Sequence, residues 1–124
     1  MARGSGEPTG SAAAALLDAE EAEVRAAARA VASEQREALV AEAEKIAAQP
    51  AASTQWKTSG ERMRALLDEW KQHQRTGPKL DKTTESALWT RFSHARNSFD
   101  KARRAWFAEL ETSRLRAAAH LEKL

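Results

Sequence analysis

Leu88-Trp89-Thr90-Arg91-Phe92 opens the stretch whose spacing decides the fold. From Leu88 the large or small apolar residues Phe92, Ala95, Phe99, Ala102 and Trp106 recur at alternating steps of four and three, which places all six on one stripe of one α-helix. A stripe of that weight has to be covered by partner helices. The same rhythm persists through Leu110, Ala117, Leu121 and Leu124 with no internal Gly or Pro, so the spacing predicts a single helix over 82–123.

Upstream of this stripe, Arg75-Thr76-Gly77-Pro78-Lys79 breaks the chain: Gly ends a helix readily and Pro cannot continue one. Before the break, Trp56, Met63 and Trp70 repeat by seven, with Leu66 and Leu67 beside them, which predicts a helix over about 54–74 capped by Ser53 or Thr54. Gly60 lies inside it, where glycine costs about 1 kcal/mol relative to Ala. A first helix over about 11–48, stopped by Pro50, carries Leu17, Val24, Val31 and Ala38 at intervals of seven, and Ala28, Leu39 and Ile46 complete the expected seam. Residues 1–10, rich in Gly, are expected to form a flexible leader.

The expected architecture is all-α: an antiparallel three-helix bundle in a single domain over 11–124. At 1.5 Å per residue, a helix of some 40 residues reaches roughly 60 Å, far beyond a compact core. The long first and third helices are therefore expected to extend together as a stalk with coiled-coil character.

Composition narrows the function classes. Ala, Leu, Arg, Glu and Lys dominate the 124 residues, and Tyr is absent. Without Cys there is no disulfide, thiolate ligand or thiol nucleophile, which fits a cytoplasmic location. No apolar run approaches a bilayer span or a signal peptide, and neither membrane association nor a small-molecule substrate is expected. His73, His94 and His120 lie far apart without metal-ligand spacing, and no phosphate-binding Gly loop or nucleophile elbow occurs. No enzyme, cofactor or metal is expected.

Charge is unevenly spread. Residues 1–52 carry five Lys/Arg and nine Asp/Glu, net −4, whereas residues 53–124 carry fifteen and nine, net +6. The split suits either an anionic partner or an acidic helix lying on basic ones within the bundle. Lys71, Arg75, Lys79, Lys82, Arg103 and Arg104 are the candidate anion or nucleic-acid contacts. For Lys71, Arg75, Lys79 and Lys82 the stronger reading is that cations at a helix C-terminus complement its dipole and solubilise the turn. Arg91 is expected to stack near Trp89 or to clamp Asp68 or Glu69, and Trp70, Leu88, Trp89, Phe92 and Phe99 are expected to form the structural core. Trp106 and Phe107, being adjacent, must face different sides of their helix, so one of them is expected to be exposed.

Trp70-Lys71, the turn residues Pro78 and Lys79, Leu88-Trp89-Thr90-Arg91-Phe92 and the downstream Phe99 resemble the motifs of the bacterial Domain of Unknown Function 349 family, a helical repeat. The resemblance covers about residues 53–110. It implies a tandem arrangement of such units and brings no activity with it. A faint internal echo agrees: Arg36-Glu37-Ala38-Leu39 is matched 85 residues later by Leu121-Glu122-Lys123-Leu124. The function expected from all this is a non-enzymatic helical scaffold or protein-interaction module, working through a protein partner or self-association. RNA or DNA binding by the basic half is the alternative.

Overall fold

The computed structural model describes the backbone of residues 6–124 and the side chains of residues 11–124. Three α-helices follow one another: α1 over Gly6–Ala47, α2 over Trp56–Thr76 and α3 over Lys82–Lys123, with a single 3₁₀ turn over Ala51–Ser53 between the first two. Among the described residues there is no strand, and no helix is long and apolar enough to cross a membrane. Of the leader expected over 1–10, residues 1–5 lie outside the described residues, and α1 already runs from Gly6.

The helix ends have identifiable chemistry. Asp81 caps α3 by accepting hydrogen bonds from the backbone N–H groups of Thr83 (2.9 Å) and Thr84 (3.2 Å), while the Thr84 hydroxyl donates to its second oxygen (2.7 Å). These bonds, the Thr84 hydroxyl foremost, hold the Asp81 carboxyl below its usual range. Gly77 closes α2 through its N–H on the His73 carbonyl at 2.9 Å, and a Cβ at this position would sit 2.7 Å from that same oxygen. Only glycine fits there. Ser53 and Thr54, expected as caps of α2, instead donate their hydroxyls to the Pro50 carbonyl (3.2 and 2.8 Å), and Gln55 occupies the cap position without a side-chain bond. Their hydroxyls act as donors that stabilise the turn after Pro50, and not as acceptors for the first N–H groups of a helix that starts at Trp56.

Long-range pairs reveal the direction of each helix. Along α1 and α3 the partners advance together, from Arg36 with Glu85 to Glu44 with Arg91. Along α2 they run backwards, from Trp56 against Trp106 to Gln74 against Glu85. The bundle is up-down-up, with α1 and α3 parallel and α2 antiparallel to both.

That geometry changes the expected stalk. With α1 parallel to α3, the N-terminal part of α1 leaves one end of the bundle and the C-terminal part of α3 leaves the other. Residues 11–31 and 107–124 are exposed throughout, each a single-helix arm of about 27–30 Å. They do not lie against each other. The expected seam of α1 moves as well: Leu17, Val24, Val31 and Ala38 are exposed, and the buried positions are Ala32, Arg36, Leu39, Val40 and Ala43.

The core gathers Leu39, Val40 and Ala43 of α1, Met63, Leu66 and Trp70 of α2, and Leu88, Phe92, Ala95 and Phe99 of α3. Small residues such as Ala43 let α1 approach both neighbours closely, whereas α2 and α3 are joined through rings. Trp70 lies against Phe92 with centroids 5.5 Å apart and nearly parallel planes, and Trp56 meets Phe99 at 5.5 Å and Trp106 at 6.4 Å. Trp106 is thus half-buried while Phe107, one residue on, is exposed. Trp89, expected in the core, is 40% exposed. It follows Leu88 by about 100° around the helix, which carries it off the stripe to the flank, where it tilts against Trp70 at 5.5 Å.

Three substitutions test this packing. Phe92→Ala empties a fully buried site and should cost about 3–5 kcal/mol in denaturant unfolding, well above the loss from Trp89→Ala, whose ring is partly solvated already. A Cβ at Gly60 would meet only Arg103 and Phe99 atoms at 3.9 Å, ordinary contact, so Gly60→Ala should stabilise by about 0.5–1 kcal/mol and raise the melting temperature by a few degrees.

Candidate functional site

The residue that sequence reasoning passed over is Arg36. It falls on the buried stripe of α1, four residues after Ala32 and three before Leu39, where an aliphatic residue would ordinarily stand. Its side chain is 2% exposed. The guanidinium lies 4.6 Å from the centroid of the Trp70 ring and donates from Nη1 to Glu85 Oε1 at 3.1 Å. The signal was present in the sequence: a charged residue interrupting a four-three apolar repeat.

Glu85 is positioned by the cap. Asp81 fixes the first turn of α3, and the Asp81 carbonyl accepts the Glu85 N–H at 2.9 Å, so the carboxylate emerges where Arg36 and Gln74 meet it. Gln74 donates to the same oxygen at 2.8 Å. Burial pushes the Glu85 carboxyl up, but the hydrogen bonds from Gln74 and Arg36 and the Arg36 charge outweigh it and hold the group below its usual range. Nε of Arg36 and Nε1 of Trp70 are buried with no acceptor among the described residues.

Above this pair opens a cleft of about 540 Å³ between the end of α2, the turn 77–81 and the start of α3. Arg36, Trp70 and Glu85 contribute to its base, Leu80 and Trp89 supply apolar wall, and Lys71, Lys79 and Lys82 surround it. Three of the six expected anion contacts therefore converge. The other three do not: Arg75 turns to Gln72 at 3.5 Å, Arg103 lines a separate groove of about 290 Å³ beside Gly60 and Phe99, and Arg104 is exposed on α3. Gly60 and Lys71 are eleven residues apart on α2, about 16 Å, so the basic residues form no continuous face.

The charge asymmetry of the chain is partly consumed inside the bundle. Arg91 donates to Glu44 (2.6 Å) and Glu37 (2.8 Å) of α1, and Arg62 of α2 pairs with Glu42 and, at 3.5 Å, with Glu69. Arg91 does not reach Asp68 or Glu69, because it projects toward α1 and not α2. The hydrogen bond from Arg91 holds the Glu44 carboxyl below its usual range, and that from Arg62 does the same for Glu42. No group of His, Asp and Glu suited to a metal ion occurs among the described residues.

A family model described as a Domain of Unknown Function (DUF349) matches residues 13–79. It spans most of α1, all of α2 and the turn to Lys79, including Trp70 and Lys71, and ends before the Leu88–Phe92 stretch. No curated protein and no solved structure matches the chain.

Glu85→Ala would leave Arg36 buried without its counter-ion and should destabilise the chain by about 2–4 kcal/mol, whereas Arg36→Met, which removes the charge and keeps the volume, should come within about 1 kcal/mol of the parent. Urea unfolding of the two variants reads the difference. The carboxyls of Glu42, Glu44, Asp81 and Glu85 all titrate lower in the folded chain than in the unfolded one. Their stabilisation is present in full above the unfolded carboxylate range and is lost as pH falls through the folded values. Melting temperature should hold steady down to about pH 5 and drop below about pH 4.5, less steeply in high salt where the exposed pairs are already screened.

Proposed function

The chain belongs to the DUF349 family, whose description assigns no activity, and we propose that it is a non-enzymatic helical scaffold, a cytoplasmic module that engages partner helices through its two arms. One observation carries the reading. Leu16, Leu17, Val24 and Val31 on the α1 arm, and Leu110, Leu115, Leu121 and Leu124 on the α3 arm, are all exposed by 45% or more, on helices with no neighbour at those levels. Lone helices of that length gain little stability from propensity, and apolar seams on them gain most by pairing.

Opposite placement of the arms suits a unit of a linear array. The family match takes in α1 and α2 and leaves out α3, a helix of the same 42 residues as α1 and parallel to it. On this reading α3 occupies the place and direction of the first helix of a following unit, in line with the echo of Arg36–Leu39 at Leu121–Leu124. Partner helices would lie along the arms, Val24, Val31 and Leu121 anchoring and the mixed charges setting register.

Sedimentation equilibrium of the full chain should reveal concentration-dependent association. Val24→Glu with Val31→Glu, or Leu110→Glu with Leu121→Glu, should weaken it without lowering the unfolding midpoint, since all four side chains are exposed in the isolated chain. A chain that stays monomeric up to its solubility limit, with both double variants indistinguishable from the parent, overturns the scaffold reading.

A further inference from the structure

The cleft beside Arg36 has features that neither helix packing nor arm pairing requires. Its volume of about 540 Å³ lies in the range of small-molecule sites. Arg36, Lys71, Lys79 and Lys82 bring four positive charges to it and Glu85 one negative charge, already met by Arg36 and Gln74. Among the described residues none of the three lysines is in an ion pair.

The dipole at the end of α2 is complemented in its last turn by His73 and Arg75, and Lys71 stands a turn earlier. The same physics opposes Lys82. It is the first residue of α3, where the helix dipole disfavours a cation, so its charge is unexplained by local stability. Lys79 belongs to neither helix. Arg36 and Trp70, both among the lining residues, each keep a buried donor without an acceptor among the described residues, Nε and Nε1, and the wall of Trp89 is a partly exposed indole backed by Phe92 at 6.0 Å. Such a surface calls for an acceptor-rich, anionic occupant with a flat apolar part.

We propose that this cleft binds a nucleotide, its base lying against Trp89 and Leu80 and its phosphate held by Lys71, Lys79 and Lys82. A tetrahedral dianion suits three mobile ammonium groups, each a compact point charge with rotatable donors. Stacking on the indole supplies the ring's share and tolerates any base. The ligand is a free mononucleotide or one unit of a single-stranded RNA, and the chemistry at the cleft is the same for both.

Isothermal titration of the full chain with AMP at low salt tests this, beside adenosine, inorganic phosphate and a short oligoadenylate. AMP should saturate a single site, and adenosine or phosphate alone should bind at least about tenfold more weakly, because each lacks half of the contacts. The double variant Lys79→Gln/Lys82→Gln, exposed and outside the core, should weaken AMP by at least about tenfold while its circular dichroism melt matches the parent. Trp89→Leu should abolish the AMP-dependent change in tryptophan emission. Oligoadenylate binding much tighter than AMP, with the same loss in the lysine variant, assigns the site to RNA; equal or weaker binding assigns it to the free nucleotide. No AMP binding at millimolar concentration, binding undiminished in the lysine variant, or phosphate binding as well as AMP overturns the proposal.

Discussion

The bundle depends on the complete burial of one indole at the point where all three helices meet. Trp70 comes from α2, receives the Arg36 guanidinium of α1 at 4.6 Å, and lies against Phe92 and Trp89 of α3 at 5.5 Å each. A side chain of that size contributes on the order of 2–3 kcal/mol through burial alone, and its cationic and aromatic contacts add to it. More important is the register it imposes. Arg36 can sit over this ring and still reach Glu85 at only one relative height of α1 and α3, and the second pair, Glu44 with Arg91, makes the two helices parallel, so these contacts together select a single arrangement of the rods.

Two short connections impose the same arrangement independently. Eight residues separate α1 from α2 and five separate α2 from α3, too few for anything but antiparallel neighbours in sequence. Two reversals restore the original direction, and α1 and α3 must then be parallel. From this it follows that helices of 42 residues around a partner of 21 overhang at opposite ends. The stalk inferred from length alone overlooked that step: the count of reversals, which the sequence contained, decides where an overhang goes.

What was legible and what was not divides along physical lines. The bounds of α3, 82–123, were readable because Asp81 offers a side-chain cap and the stripe Leu88-Phe92-Ala95-Phe99 contains residues large enough to reveal their period. In α1 the period was hidden, since Ala occupies buried and exposed positions alike and several phases fit it. The valines and leucines at 17, 24 and 31 then selected the wrong phase, for they belong to the arm and not to the core. Arg36 was masked by the assumption that charge marks the outside. Lys71, Lys79 and Lys82 were readable as cations near a turn, but their convergence depends on the chain reversal at Gly77, and the separation of Arg103 and Arg104 from them is equally a matter of three dimensions.

Charge supplies the last step. An acidic α1 and basic α2 and α3 suggested either an anionic partner or internal neutralisation, and the bundle distinguishes between these residue by residue. Arg62 and Arg91 are spent on Glu42, Glu37 and Glu44, pairs mostly exposed and therefore worth little individually, yet they remove those arginines from any outward role. Arg36 is spent on Glu85. What is left of the basic excess near the centre of the molecule is Arg64, Arg96 and Arg103 at the groove beside Gly60 and the group of lysines at the cleft. Lysine in place of arginine matters at the cleft: a hydrated, mobile ammonium holds an exchangeable anion, whereas the planar forks of Arg36, Arg62 and Arg91 fix one helix against another.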